Sequence, residues 1–237
     1  MRTPPDGRRR SAQAAKALLI SSAAIGVALG LRRTRASWGP RLFARWYGRR
    51  ARRAERGEIG QRRRRLVAQA SGRVLDLGAG TGESFKHLPS AVSQVVAVEP
   101  DPWMLRQAQQ RVTEARVPVS FVRAVSDALP FGAGSFDTAV VALVLCTVDD
   151  LEGTIAELRR VLRPGGKLLL MEHVRATDDA LAQLQDLVAR PWSWSNGGCR
   201  PNRSTLEAIE RGGFGLDGLE WYGYPVLPHV QGVALRT

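Results

Sequence analysis

Short apolar runs alternate with stretches of helical apolar spacing along most of this chain, beginning at Arg73. The apolar runs predict strands over residues 74–77, 94–99, 120–123, 138–143 and 167–172. The intervening spacing predicts helices over residues 83–88, 102–115 and 151–161. Alternation of this kind is typical of right-handed βαβ crossovers. We therefore expect an α/β fold with a mostly parallel, doubly wound sheet and helices on both of its faces.

The pattern is less regular beyond Pro191. Residues 192–199 are rich in glycine, serine and tryptophan, and they predict a loop. A helix over residues 204–211 and two final strands, near residues 219–222 and 230–235, complete the predicted elements. Ligand-binding residues in this part of the chain are therefore harder to identify than those before it.

The first predicted strand runs directly into a loop that carries glycine at positions 78, 80 and 82. Glycine reaches positive φ and lets a ligand approach the backbone closely. The dinucleotide fingerprint Gly-x-Gly-x-x-Gly would need glycine at position 83, where this chain has Glu83. Glu99 ends the next apolar run, where an acid is placed to bind the two hydroxyls of a ribose. The combination predicts a nucleoside cofactor rather than a dinucleotide.

Charge is unevenly distributed along the 237 residues. The net charge is +13, and residues 1–65 carry nineteen Lys and Arg against three acids, or +16, so the remaining residues carry −3. The basic excess therefore belongs to an N-terminal arm, and the domain that follows is mildly acidic. The length allows one sizeable α/β domain with a short appendage.

The arm contains an unbroken run of small and apolar residues from 17 to 31, bounded by arginines. Fifteen helical residues span about 22 Å, short of the ~30 Å hydrocarbon core of a bilayer, and extension back to Ala12 brings the span to about 30 Å. We interpret the run as a membrane anchor, shallow or spanning. A cleaved secretory signal and a soluble helix packed on the domain stay open as alternatives.

The segment from residue 38 to residue 65 supports the anchor. Fourteen arginines lie between Arg32 and Arg65, interleaved with aromatic residues and leucine. Aromatic rings favour the headgroup layer, and arginines favour anionic lipid. A solvated helix whose aromatic residues cover a cofactor pocket is an alternative, and both interpretations can hold together. Nucleic acid could also use such a patch, but the apolar run beside it has no role there, so we expect no nucleic-acid partner.

These segments predict three parts. We expect residues 1–36 to form the membrane-anchoring segment, residues 37–72 an Arg-rich amphipathic helical lead-in, and residues 73–237 the main domain. If the anchor spans the bilayer, the arginine excess on its C-terminal side places the main domain in the cytoplasm. The sequence therefore predicts a membrane-associated protein that contacts an anionic membrane surface.

Cys146 and Cys199 are the only cysteines. Their wide separation in sequence matches no metal-ligand spacing and no disulfide framework, which fits a reducing compartment. The His and Asp residues likewise show no metal-ligand spacing with them. The sequence pattern thus predicts no metal.

Five motifs follow one another over residues 73–172. They are VLDLGAGTG at 74–82, VEP at 98–100, LPF at 129–131, SFD at 135–137 and LRPGGK at 162–167. Together they resemble the class I S-adenosylmethionine-dependent methyltransferases. Finer features are similar to the methyltransferase-like 7 thiol methyltransferases, a subgroup that also begins with a hydrophobic membrane-anchoring segment. These features are LVLCTV at 143–148, MEHV at 171–174, Pro191-Trp192, Gly198-Cys199 with Arg203, and Pro228-His229 before Gly232.

The resemblance implies a Rossmann-like sheet of seven strands, mostly parallel with the last strand antiparallel. It implies S-adenosyl-L-methionine as the cofactor, S-adenosyl-L-homocysteine as the product, and Glu99 as the residue that takes the ribose hydroxyls. The implied cofactor-binding residues are Asp76, Gly78, Ala79, Gly80, Gly82, Glu99, Pro100, Trp103, Met104, Ser126, Asp127 and Leu143. Relatives commonly carry an adenine-binding Asp where this chain has Val125. We therefore expect backbone groups or Asp127 to bind the adenine here.

Methyl transfer from a sulfonium is an in-line displacement, so the protein's main tasks are positioning and the exclusion of water. A thiol ionises near neutral pH and needs little more, whereas a hydroxyl or carbon acceptor needs a base. His173, at the end of the fifth strand, is the predicted general base, and His229 is the second candidate.

The sequence also indicates the kind of acceptor. The aromatic residues of the C-terminal segments predict an apolar or amphipathic small molecule, and the resemblance favours an alkyl thiol. A lipid, a quinone precursor or a phenol stays open as an alternative acceptor. A non-catalytic cofactor-binding membrane scaffold is the alternative that involves no chemistry.

Overall fold

The structure, a computed structural model, describes residues 39–237, and the predicted anchor at residues 17–31 lies outside them. The described strands are β1 (Gly72–Leu77), β2 (Val92–Val98), β3 (Val119–Val122), β4 (Phe136–Ala142), β5 (Leu162–His173), β6 (Phe214–Tyr224) and β7 (Leu227–Arg236). The described α-helices are α1 (Gly39–Ala54), α2 (Glu58–Val67), α3 (Pro102–Gln110), α4 (Leu151–Val161), α5 (Asp179–Ser195) and α6 (Thr205–Arg211).

Within residues 39–237, these strands form one seven-stranded sheet in the order β3-β2-β1-β4-β5-β7-β6. The pairs from β3 through β5 are parallel, and β7 pairs antiparallel with both of its neighbours, β5 and β6. The predicted doubly wound sheet with an antiparallel last strand is confirmed. Strand order reverses between β1 and β4, and the carboxyl ends of strands at such a point are where open α/β sheets bind ligands.

The central strands are buried on both faces, which explains their nearly continuous apolar sequences. Leu75 and Leu77 of β1 enter the core on one face, together with Leu168 and Leu170 of β5. Val74 enters the core on the other face. Because packing covers both faces of these central strands, their ends are the part that a ligand can reach.

Two of the predicted helices are shorter than the sequence indicated. Residues 83–88 contain only a 3₁₀ turn, Phe85–His87, because Glu83 is buried in an ion pair with Arg111 that holds the chain in a compact loop. The helix predicted over residues 102–115 ends at Gln110 and is followed by a second 3₁₀ turn, Val112–Glu114.

Two further boundaries also differ from the prediction. Residues 192–195 were expected to be a loop, but α5 continues through Pro191 to Ser195 and ends where the Asn196 amide bonds to the Trp192 carbonyl. The strand predicted over residues 167–172 begins earlier, because pairing of β5 starts at Leu162, opposite Phe136, and the register is irregular between there and Lys167.

The segment that the sequence predicted to be helical before the main domain forms α1 and α2. Helix α1 packs on α3, where the Gln107 side-chain amide donates a 2.9 Å hydrogen bond to the Ala44 carbonyl. Helix α2 packs along β5 and β7, and the guanidinium of its Arg62 lies 3.8 Å from the ring centre of Tyr222. Among the described residues, no helix combines the length and apolar character needed to cross a bilayer.

Candidate active site

A cavity of about 890 Å³ lies at the carboxyl ends of β1, β2, β4 and β5. Predicted site residues that line it are Gly78, Gly80, Glu99, Pro100, Met104, Ser126, Asp127, Leu143, His173 and His229. Asp76, Ala79, Gly82 and Trp103 are not part of its lining. The cavity thus brings together residues from the glycine loop, the ends of three other strands and the C-terminal region.

The glycine loop has the backbone geometry that its sequence predicted. Gly78, Gly80 and Gly82 all have positive φ, at 63°, 56° and 81°. A Cβ at Gly78 would lie 2.6 Å from a methyl carbon of Val144, so a side chain there cannot be accommodated without displacing the neighbouring loop. Around Gly80 the nearest atom to such a Cβ is 3.8 Å away, which leaves open space for a ligand beside the backbone.

Glu99 is buried at the end of β2, where it is held by two backbone amides. Its Oε2 accepts a 2.9 Å hydrogen bond from the Gly80 amide, and its Oε1 accepts one of 3.0 Å from the Asp101 amide. Burial raises the pKa of Glu99, while these two hydrogen bonds oppose that increase. Each carboxylate oxygen can accept more than one hydrogen bond, so both remain available to a pair of ligand hydroxyls.

Asp76 is 4% exposed, and its Oδ2 has no hydrogen-bond partner. Burial raises the pKa of Asp76 to about 7; nearby Arg63 opposes this change and Glu99 adds to it. A buried carboxylate oxygen without a partner is costly and marks a group that a ligand could satisfy. A positively charged ligand group would favour the ionised form of this acid.

The side of the cavity beyond Glu99 is less polar. Met104 lines it, whereas the neighbouring Trp103 does not. The guanidinium carbons of Arg41 and Arg106 lie 5.1 and 5.5 Å from the centre of the Trp103 ring. Val125, Ser126 and Asp127 form the next part of the lining. A 2.8 Å hydrogen bond joins the hydroxyl groups of Ser126 and Thr154, and it fixes the position of the Ser126 side chain. An adenine ring would therefore meet Met104 and Val125 as apolar neighbours.

Helix α1 forms one wall of the cavity through a stripe of aromatic residues. Phe43, Trp46 and Tyr47 lie on its inner face, and Phe43 packs so closely that a Cβ at Gly197 would meet its ring at 2.9 Å. Burial raises the pKa of Tyr47. The sequence-based alternative in which aromatic residues of this segment cover the pocket therefore agrees with the structure.

Glu172 holds a loop of the site and was not among the predicted site residues. It is fully buried, and its carboxylate accepts hydrogen bonds from the amides of Val144, Leu145 and Cys146 at 2.7, 3.0 and 3.3 Å. Burial raises the pKa of Glu172 to about 7 against the effect of these bonds. The three bonds hold the loop that begins at Leu143, whose φ of 64° is unusual for a leucine. An acid at the end of an otherwise apolar buried strand was the available signal.

Folding brings the two cysteines together with His173, contrary to the prediction from their separation in sequence. The sulfur atoms of Cys146 and Cys199 lie 3.8 and 3.6 Å from His173 Nδ1, and the three atoms all lie within 4.8 Å of one another. Both thiols are buried and free. The expectation that the protein binds no metal stays a prediction, but sequence spacing does not reveal ligands that converge from separate loops, and these three residues could hold an ion.

The two thiols differ in their acidity. A hydrogen bond from Cys146, with a further contribution from His173, holds the pKa of Cys199 well below its ordinary value. The pKa of Cys146 is raised well above its ordinary value by that interaction with Cys199 and by burial. The interaction thus favours ionisation of Cys199 over that of Cys146.

Direct contacts between two loops explain why the cysteines meet. The Arg200 amide donates a 2.7 Å hydrogen bond to the Cys146 carbonyl, and the Arg203 guanidinium donates one of 2.8 Å to the Leu145 carbonyl. Buried Gln185 of α5 binds the carbonyls of Val174 and Pro201 at 3.1 and 3.2 Å. These bonds join the ends of β4 and β5 to the loop after α5.

His173 and His229 form a cross-strand pair between β5 and β7. Their ring centres are 4.0 Å apart, and Tyr222 stacks on the other side of His229 at 5.0 Å. Burial, together with the nearby His173, lowers the pKa of His229 to about 3. His229 is therefore neutral at physiological pH, and its buried Nδ1 has no hydrogen-bond partner in the described structure.

The described residues fit the nucleoside cofactor that the sequence predicted. Gly80 and Glu99 line the cavity and offer an open backbone and acceptors for hydroxyls. The buried Asp76, which interacts with Glu99 but does not itself line the cavity, adds an acid close to them. Cys146 and His173 line the same cavity. We refer to the part of the cavity at the glycine loop as the donor end and to the part at these two residues as the acceptor end.

Known proteins share both the sequence and the fold of this chain. A family model described as "Methyltransferase domain" matches residues 75–170. The thiol S-methyltransferase TMT1B of Rattus norvegicus is 33% identical over 172 residues, which cover 69% of this chain and 70% of that protein. TMT1A of Homo sapiens is 33% identical over 173 residues with the same coverage. The ubiquinone/menaquinone biosynthesis C-methyltransferase UbiE of Shewanella piezotolerans is 34% identical over 120 residues, 48% of each chain.

Solved structures agree on the fold. A methyltransferase of Bacillus halodurans superimposes with a TM-score of 0.61 at 21% identity, covering 70% of this chain and 72% of the other. An S-adenosylmethionine-dependent methyltransferase of Thermotoga maritima gives a TM-score of 0.59 at 21% identity, covering 82% and 98%.

Proposed function

The chain belongs to the S-adenosylmethionine-dependent methyltransferases, and we propose that it methylates a small hydrophobic thiol at the surface of a membrane. The methyl donor and the enzyme class follow from the family. The identity of the acceptor and the membrane location constitute the proposal.

When bound, S-adenosylmethionine supplies a methyl group already activated by a sulfonium charge. The glycine loop and Glu99 position the donor, while the aromatic wall of α1 excludes water from the reacting atoms. Leu143 lies between the two ends of the cavity, in the loop that Glu172 holds. His173 lies at the acceptor end, where it is placed to take a proton from an incoming thiol.

The similarity to thiol S-methyltransferases is the observation that carries the thiol assignment. It extends over 172 residues, well beyond the 75–170 stretch of the common domain. In this chain, the segments outside that stretch include α1, the Cys199 loop and β7, which form the acceptor end of the cavity. Similarity that extends beyond the common domain supports a shared acceptor class.

The rim of the cavity supports a hydrophobic acceptor. Trp46, Val125 and Tyr224 both line the cavity and are exposed, by 44%, 52% and 57%. Large exposed apolar groups around an opening mark a binding surface for an apolar ligand or a membrane. A substrate that partitions into a bilayer could pass directly from lipid to this rim.

The acceptor is tested by incubating the full chain with isotope-labelled S-adenosylmethionine and, separately, a hydrophobic alkyl thiol, a phosphatidylethanolamine and a phenol. We expect label in the thiol. The control is the Gly78→Ala variant, whose blocked glycine loop should abolish transfer to every acceptor. Label in the lipid or phenol alone would refute the thiol assignment, and cofactor binding without transfer to any of them would favour the scaffold alternative.

A second acceptor class, the carbon of a quinone precursor, is favoured by the 34% identity to UbiE. That similarity covers 48% of each chain, less than the similarity to the thiol methyltransferases. A methyl group transferred to the ring carbon of a hydroquinone, and not to a thiol, would select this alternative.

Membrane association is supported by the outer face of α1. Arg41, Arg45, Arg49 and Arg52 recur there at helical spacing beside Arg106. Leu42 is 53% exposed on the same helix. Basic residues with an exposed apolar neighbour favour an anionic bilayer surface.

Vesicle sedimentation tests this association. We expect binding to phosphatidylglycerol vesicles, weaker binding to phosphatidylcholine, and release of the chain when residues 1–36 are deleted. Combined Arg45→Gln and Arg49→Gln substitutions should weaken binding, whereas Arg116→Gln, on the loop after α3, should not. Unchanged partition after the deletion would refute the anchor.

A further inference from the structure

The structure assigns Cys146, His173 and Cys199 as a zinc site whose fourth coordination position opens into the active-site cavity. The site itself rests on the geometry of these three residues. Its role in catalysis rests on the proposed thiol methyltransfer.

The distances match those of a tetrahedral zinc site. A sulfur about 2.3 Å and a nitrogen about 2.0–2.1 Å from one Zn²⁺ ion lie about 3.5 Å from each other. The two sulfur-to-Nδ1 distances in this protein are 3.8 and 3.6 Å. Each sulfur-to-nitrogen distance therefore differs from the tetrahedral value by only a few tenths of an ångström, and the two sulfurs lie within 4.8 Å of each other.

The shared nitrogen also favours a metal over a hydrogen-bonded cluster. His173 Nδ1 has a single in-plane position, which holds either a lone pair or a hydrogen atom. It can form only one well-directed hydrogen bond, yet both sulfurs face it. A single metal ion bound to the Nδ1 lone pair, by contrast, could be bound by both sulfurs at the same time.

The surroundings hold these ligands in place before any ion binds. The amide of Cys146 donates to Glu172 Oε2, and its carbonyl accepts from the Arg200 amide. The His229 ring packs against that of His173 with the ring centres 4.0 Å apart. Two thiolates and one imidazole neutralise the charge of Zn²⁺ and are soft or borderline ligands, which exclude Mg²⁺ and Ca²⁺ as the preferred ion.

Three protein ligands and an open position are typical of catalytic zinc sites. The three ligands all line the cavity, so a substrate thiol can take the fourth position. With an ion on its Nδ1, His173 would act as a ligand in place of a general base. The thiol R–SH would replace a bound water and lose its proton to solvent, leaving R–S⁻ on zinc. A sulfur lone pair of R–S⁻ then forms the S–CH₃ bond while the methyl–sulfonium bond breaks, and its electron pair stays on the cofactor sulfur. The products are R–S–CH₃ and S-adenosylhomocysteine.

Metal content of the full chain, purified without chelators, tests the site. We expect about one zinc per chain, and its loss in Cys199→Ser and His173→Gln. His87→Gln, which removes an imidazole that contacts Glu55 and lies outside the cavity lining, should retain zinc. Circular dichroism establishes that each variant is folded. Retention of zinc in His173→Gln, or a Cys146–Cys199 disulfide in a metal-free chain, would overturn the assignment.

Cobalt substitution provides a measurement that needs no variant. Co²⁺ in the wild-type chain should give the intense visible bands of a tetrahedral thiolate site, and a hydrophobic thiol, but not a phenol of similar size, should shift them. Absence of thiolate bands would overturn the site. Bands that do not respond to the thiol would overturn the open position.

The site and the proposed function fail in different ways. Bound zinc with no methyl transfer to thiols would refute the function and leave the site intact. Thiol methylation at full rate by a chain stripped of zinc would refute the role of the metal and leave the function intact.

Discussion

The backbone amide of Gly80 donates a 2.9 Å hydrogen bond to Oε2 of Glu99, which joins the loop after β1 to the end of β2. The same carboxylate is bound through Oε1 by the Asp101 amide at the start of α3. Glu99 therefore orders the glycine loop and also presents the acceptors that the cofactor ribose requires.

Glu99→Gln should raise the Kd for S-adenosylmethionine by roughly tenfold to a hundredfold, because hydrogen bonds to a charged group contribute about 1.5–3 kcal/mol. Isothermal titration calorimetry measures the change. Glu152→Gln, in an exposed ion pair with Arg211, is the matched control and should bind normally. Equal affinity of the Glu99 variant and the wild type would exclude Glu99 from ribose binding.

The affinity for the cofactor should rise with pH around neutrality. The pKa of Asp76 is raised to about 7, chiefly by burial, so this acid is protonated below that value and ionised above it. A cationic cofactor binds the ionised form better, and the increase can reach about tenfold per pH unit below pH 7. Binding curves at several pH values test this. In Asp76→Asn the dependence should flatten, whereas in Asp217→Asn, at an exposed position, it should persist.

The raised pKa of Asp76 also affects the stability of the cofactor-free protein. Between the unfolded-state pKa near 3.8 and the folded-state value of about 7, the folded chain binds the extra proton at Asp76. The free energy of unfolding should therefore fall as the pH rises through this window. Urea titrations of wild type and Asp76→Asn should show a smaller decline in the variant; equal declines would contradict the assignment.

Gly78→Ala and Gly80→Ala should differ in their cost. Both positions have positive φ, which costs an L-residue about 1–2 kcal/mol. Only at position 78 would the new Cβ also meet Val144 at 2.6 Å, adding about 1–3 kcal/mol of overpacking. Urea denaturation should rank the free energy of unfolding as wild type, then Gly80→Ala, then Gly78→Ala. The reverse order would contradict the packing of the glycine loop on Val144.

Glu172→Gln should destabilise the fold and impair catalysis. Three backbone amides donate to this carboxylate, and a glutamine would present an amide donor to at least one of them. We expect a loss of about 1–3 kcal/mol in the free energy of unfolding. The kcat should fall more than the cofactor affinity, because the loop from Leu143 forms the floor between donor and acceptor. Glu207→Gln, at an exposed position on α6, is the control and should change neither parameter. If Glu172→Gln lowered kcat and the cofactor affinity by the same factor, that would contradict a role of Glu172 in positioning.

The sequence predicted the donor end of the site far better than the acceptor end. Gly78, Gly80 and Glu99 are consecutive parts of local motifs, so their geometry is fixed by residues close to them in the chain. The strands were predictable for a similar reason, since burial on both faces leaves a continuous apolar run.

The acceptor end depends on contacts between distant segments. Cys146 and Cys199 meet only because Arg200 and Gln185 join two loops, and no local pattern encodes that meeting. Trp103 and Met104 were indistinguishable by sequence, because adjacent residues at the start of a helix face different directions, and their surroundings were set by α1.

The aromatic wall of α1 has an evolutionary consequence. The methyl donor is held by a stretch that many methyltransferases share, whereas α1, the Cys199 loop and β7 approach from either side of that stretch in the chain. Mutations that reshape the acceptor end need not alter the glycine loop or Glu99. New acceptor specificity can therefore evolve in the flanking segments while the machinery that holds the donor stays unchanged.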